Sequence, residues 1–177
     1  MNHATLLPLL LLLLATGCTD PGDGAREQSF RSIVGPATDP PHYTDPAAVA
    51  PLFTQRNDTA FLINFWATWC RPCLEELPLL QQLADREPDL PLAIVLVSLD
   101  TKPEDVDRVP NFLRRAGVTL PSLILSAQDT DWAKSFDRLW SGSLPTTLIY
   151  RNDLRYVYRR AFTTYPDLRA AVSPLVQ

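Results

Sequence analysis

A strongly apolar run, Ala60–Trp66, leads almost directly into two cysteines at positions i and i+3, Cys70 and Cys73, and a helical pattern starts around them. The run is long enough for a buried central strand. Behind it, Leu74, Leu77, Leu80 and Leu83 recur at near-helical spacing within residues 70–86, and Pro78 is expected to kink that helix. A buried strand feeding a helix, with a thiol pair at the joint, restricts the chain to folds in which helices cover a sheet.

The rest of the sequence continues this alternation. Residues 91–99 (PLAIVLVSL) suit a second strand covered on both faces. Residues 102–116 suggest a helix turning Val106, Val109, Phe112 and Leu113 inward and stopping at Gly117, although Pro110 sits inside it. Residues 118–125 suit a short strand, and residues 129–139 place Trp132, Phe136 and Leu139 in helical phase. Residues 146–150 and 154–160 flank Arg151, Asn152 and Asp153 as a hairpin. A last amphipathic helix covers residues 165–176, with Pro166 in its first turn. Pro46–Phe53 suits a short helix or an entry segment. This order predicts an α/β fold, a mixed sheet with helices on both faces. Periodicity alone leaves several such folds open.

The cysteine pair carries the chemistry. At i and i+3 both thiols face one side of a helix's first turn, within reach of a disulfide. Cys70 lies where unpaired backbone N–H groups and the helix dipole stabilise an anion, and thiolate is the nucleophilic form. Pro72 fits the first turn because it needs no N–H partner. Arg71 adds positive charge. As a staple the pair is poor, since so small a loop removes little unfolded-state entropy. Zinc would need four Cys or His ligands, and apart from Cys18 and the leader the only other candidate is His42; no metal or cofactor is expected. There is no Gly-rich phosphate loop and no histidine in the domain to act as a base. A net charge of −4 argues against a nucleic-acid partner.

The first residues form a separate unit. Leucines dominate residues 6–14, too short a run to cross a bilayer but suited to the apolar core of an export signal. Ala15, Thr16, Gly17 and Cys18 follow, which resembles a bacterial lipoprotein signal whose cysteine is lipidated and becomes the mature N-terminus; the alternative is an ordinary cleaved signal. Export places the cysteines where disulfides persist. Thr19, by the same resemblance, favours the outer over the inner membrane. Residues 1–17 are thus read as signal peptide, 18–45, rich in Pro, Gly and Asp, as a flexible tether, and 46–177 as one domain.

The segment Asn64-Phe65-Trp66-Ala67-Thr68-Trp69-Cys70-Arg71-Pro72-Cys73, continuing to Pro78, resembles the TlpA-like branch of thioredoxin-fold thiol–disulfide oxidoreductases, which includes cytochrome c maturation thioredoxins. The likeness covers residues 46–177 and is most specific at the cysteines and at Ser143-Leu144-Pro145-Thr146-Thr147. It implies a three-layer α/β/α sandwich with an insertion between Leu99 and Trp140. It implies that Pro145, alone among 17 prolines, is the cis-proline beside the disulfide, exposing the Leu144 backbone to a substrate strand. Glu76 matches the family's acid on the active-site helix, positioned to exchange protons with Cys73, whereas neighbouring Glu75 is read as a surface residue. Asn64 stands where thioredoxin has a buried aspartate. Trp69 is expected to cover the disulfide, Phe65 and Trp66 to be core, and Trp140 either to line the site or to pack. The implied activity is reduction of disulfides in exported proteins, with re-reduction by a DsbD-like membrane thiol donor. An oxidase of the same fold and a non-catalytic binding module remain alternatives; a peroxiredoxin would carry a Thr-x-x-Cys without a nearby partner.

Overall fold

The structure, a computed structural model, describes residue 28 and residues 30–176 apart from 130 and 136. The leader, Cys18 and the first part of the expected tether lie outside the described residues. Six strands form one mixed sheet in the order β1-β4-β3-β2-β5-β6. They are β1 (His42–Tyr43), β2 (Ala60–Trp66), β3 (Leu92–Ser98), β4 (Ser122–Leu125), β5 (Thr146–Arg151) and β6 (Leu154–Tyr158). β2, β3, β4 and β1 run parallel, and the β5–β6 hairpin joins antiparallel beside β2. The α-helices from Arg71 onward are α1 (Arg71–Arg86), α2 (Pro103–Val106), α3 (Val109–Arg115) and α4 (Tyr165–Val172).

The sheet divides the core in two because successive strand residues point to opposite faces. Leu62 and Trp66 of β2, Leu96 of β3 and Ile149 of β5 pack with Leu77, Leu80 and Leu83 of α1 and Leu168 and Val172 of α4. Phe61, Ile63 and Phe65 face the other way with Val95, Val97, Leu148 and Tyr150, under Val49, Leu52 and Phe53 of a 3-10 helix, Pro46–Phe53. β2 is buried along its whole length, as its composition predicts. Tyr150, fully buried, donates its hydroxyl to Leu52 O at 2.6 Å and ties the 3-10 helix to the sheet; burial raises its pKa. Tyr150→Phe is expected to cost about 1–2 kcal/mol, because the Leu52 carbonyl loses a buried donor. A shift in the denaturant midpoint at unchanged slope measures this.

Three expectations need correction. The tether does not extend through residue 45. Phe30, Ile33 and Ala37 are buried, Phe30 packs edge-on against Phe61 at 5.0 Å, and Gly35 exchanges backbone hydrogen bonds with Ser122. A Cβ at Gly35 would lie 2.6 Å from the Pro41 ring and 2.9 Å from Asp39 O. β1 then pairs with β4, whose edge would otherwise leave backbone groups unpaired. Next, residues 102–116 form two helices, α2 and α3, rather than one. In one continuous helix the Pro110 ring would clash with the Val106 carbonyl; here it occupies the first turn of α3, where no N–H is missed. Last, among the described residues of 129–139 a short 3-10 turn, Asp131–Ser135, stands in place of a longer helix, and Leu139, placed in helical phase with Trp132, is exposed. Phe136 lies outside the described residues. Pro78, by contrast, lies on the exposed face of α1, which runs unbroken through it.

Candidate active site

Parallel strands β2 and β3 are in register from Ala60 with Leu92 to Trp66 with Ser98, so both end at one edge of the sheet. There the chain turns through Ala67, Thr68 and Trp69 and enters α1, with Cys70 as its N-cap and Pro72 in the first turn. Cys70 and Cys73 are joined as a disulfide with Cα atoms 5.3 Å apart. Cys70 is 5% exposed and Cys73 1%, so Cys70 is the outer sulfur. Trp69, in the turn just before them, is 65% exposed. Arg71 is exposed and pairs with Glu75 at 3.0 Å, so solvent and that carboxylate screen the charge expected to favour thiolate.

Below the disulfide, Cys73 and Glu76 lie on the buried stripe of α1, one turn apart. Glu76 is 1% exposed, unlike a surface glutamate. Its carboxyl accepts from the Phe162 N–H at 3.1 Å and from Asn64 Nδ2 at 3.3 Å. Asn64 also donates to Thr147 Oγ1 at 2.9 Å. Burial pushes the Glu76 pKa up to about 7, against the opposing pull of the Phe162 N–H, Asn64 and nearby Arg160. An acid that changes charge near neutrality sits one turn from the inner sulfur.

The Leu144–Pro145 peptide is cis, and Pro145 is buried where β5 begins. Pairing of Phe65 with Thr146 brings this segment alongside the end of β2. Leu144 and Trp69 line one cavity of about 230 Å³ together with Leu99, Leu125 and Trp132. Trp140 packs rather than lining the site. It is 4% exposed, lies tilted against Phe65 with ring centroids 5.3 Å apart, and donates Nε1 to Ser143 O and Thr146 Oγ1, both at 3.0 Å. It thereby holds the turn into Pro145. Phe65 and Trp66 are fully buried core.

Two features were not anticipated from sequence. Phe162, in the segment after β6, shares the core under α1 and reaches Glu76 through its backbone N–H. Asp100, just past β3, is fully buried and binds the Thr68 turn through its carboxylate. Among the described residues no group of three or more His, Cys, Asp or Glu is disposed to hold a metal, and no helix is long and apolar enough to cross a membrane.

The AhpC/TSA family profile matches residues 51–157. Over 95 residues the chain is 30% identical to the thiol-disulfide oxidoreductase ResA of Bacillus thuringiensis (strain Al Hakam), covering 54% of this chain and 50% of that one. Over 94 residues it is 31% identical to a thioredoxin of Chlorobaculum thiosulfatiphilum, covering 52% of this chain and 75% of that protein. The chain thus spans half the length of the ResA it matches. A secreted thiol-disulfide isomerase from Corynebacterium glutamicum shares the fold at a TM-score of 0.57, with 22% identity over 68% of this chain and 72% of that one. Since the profile runs from the 3-10 helix through both cysteines and the cis-proline to the closing hairpin, the chain belongs to the AhpC/TSA family and carries its Cys70–Cys73 pair on a thioredoxin-like fold.

Proposed function

We propose that this chain is an exported thiol–disulfide oxidoreductase that reduces disulfides in other exported proteins. The observation that carries the proposal is the Cys70–Cys73 bond at the start of α1, with Cys70 outermost beside the exposed Trp69. In the reduced chain the Cys70 thiolate attacks one sulfur of a substrate disulfide and expels the other as a thiolate. Cys73, deprotonated with Glu76 as the proton acceptor, then attacks the Cys70 sulfur. The substrate leaves with two thiols, and the chain keeps the Cys70–Cys73 disulfide and has lost two electrons. A membrane dithiol donor of DsbD type restores them. The leucine-rich leader and Cys18 support anchoring by lipid on the periplasmic side, with the outer membrane preferred. Leu144, freed of strand pairing by the turn at Pro145, offers its backbone to an extended substrate segment.

Insulin reduction coupled to dithiothreitol, together with the reduction potential of the pair, tests this. A potential near about −270 mV and steady turnover are expected. A value near about −120 mV would reverse the direction to that of an oxidase, and no turnover with both thiols free would leave a binding module.

A further inference from the structure

Between β2 and α1 only Ala67, Thr68 and Trp69 carry the chain to the nucleophile, and what fixes Thr68 comes from the segment just past β3. Asp100 accepts the Thr68 N–H at 3.0 Å, the Thr68 hydroxyl at 2.7 Å and the Ser98 hydroxyl at 2.7 Å. Its own backbone is held in turn, its N–H donating to Ser98 Oγ at 3.2 Å and its carbonyl accepting from Ser126 Oγ at 2.6 Å. Asp100 is 0% exposed, and no cation pairs with it among the described residues. The amide of Thr68 can only donate, which suits a carboxylate as acceptor. An asparagine would fill the same space at lower desolvation cost, so packing alone does not account for an acid here.

We propose that Asp100 is a positioning residue for the nucleophile: it clamps Thr68, which sets the path of the turn into Cys70, and its negative charge behind that turn restrains ionisation of Cys70 in the reduced chain. This rests on Cys70 being the attacking thiol. The other charged groups around the turn are few. Arg71 and Glu75 on α1 neutralise each other in solvent, Glu76 lies beneath the helix, and Lys102 and Asp105 flank Trp69 on the outer side. Asp129 borders the neighbouring cavity, and His42 touches the network only through the Ser126 hydroxyl, at 2.8 Å. Of these, only Asp100 is bonded to the turn itself.

The test is the rate at which iodoacetamide alkylates Cys70 in the reduced full-length chain, followed against pH. In Asp100→Asn the midpoint is expected to move to lower pH by about one unit, so that alkylation below the parent's midpoint runs about tenfold faster. A profile coincident with the parent's, in protein whose circular dichroism is unchanged, overturns the proposal. Should Asp100→Asn not fold, Thr68 decides: Thr68→Val, lacking the hydroxyl donor, should displace the profile and Thr68→Ser should restore it, whereas identical profiles for all three overturn the clamp. Alkylation needs no protein substrate, so this result stands apart from whether the chain turns over disulfides.

Discussion

Cys73→Ser is expected to turn the protein into a covalent trap. Cys70 can still attack a substrate disulfide, but a serine hydroxyl cannot displace the substrate sulfur, so the mixed disulfide accumulates. Turnover in insulin reduction should fall by about 10³-fold or more, because the two thiols act as one unit. Cys70→Ser should lose turnover equally but trap nothing, since Cys73 is 1% exposed and cannot reach a bulky partner. The asymmetry is the informative part. Non-reducing electrophoresis of the exported protein fraction should show adducts for Cys73→Ser that collapse with dithiothreitol and vanish in the double variant. Equal adduct formation through Cys73 in Cys70→Ser would contradict the assignment of Cys70 as the outer, attacking sulfur, and it would remove the role given to Trp69 beside it.

Legibility in the sequence followed the range of the interactions. β2, β3 and α1 were readable because each carries its own pattern: an apolar run, or leucines at helical spacing. β1 was not. It has only two residues, His42 and Tyr43, in a stretch rich in proline and aspartate, and it is a strand only because β4 offers an unpaired edge. Leu139 shows the opposite failure, since its helical phase with Trp132 was overridden when Asp137, buried and paired with Arg159, shaped the turn instead. In the site, the cysteines and Pro145 are marked by local motifs. Asp100 is not, because its partner Thr68 lies 32 residues away and nothing near either one announces the other. Glu76 occupies an intermediate case: its spacing from Cys73 was visible, whereas its burial depends on Phe162, 86 residues further on.

That burial gives Glu76 a measurable signature. With the disulfide formed, its pKa in the folded chain is raised to about 7, above the ordinary carboxyl value of about 4.3. Below the unfolded value both states hold the proton and nothing is lost. Between the two values the unfolded chain ionises while the folded chain keeps its proton bound, so stability falls as pH rises, and above about 7 the full cost of the buried charge is present. A shift of this size corresponds to about 3 kcal/mol. Glu76→Gln removes the titration, so the stability difference between parent and variant should swing against the parent by about 3 kcal/mol from pH 4 to pH 8, read from denaturant midpoints at each pH. Subtraction cancels the other titrating groups, which both proteins share. The same substitution should slow insulin reduction at neutral pH on the order of 10²-fold, the usual contribution of a positioned base, and flatten the rise in rate near pH 7. Asn64 suits this role better than an acid would. Its amide carries both a donor and an acceptor, so by rotating it can serve Glu76 with or without its proton, whereas a second carboxylate would compete for that proton. Parallel stability curves for parent and variant would mean that folding does not raise the Glu76 pKa, and a carboxylate of ordinary pKa would be too weak a base at neutral pH to share a proton with Cys73.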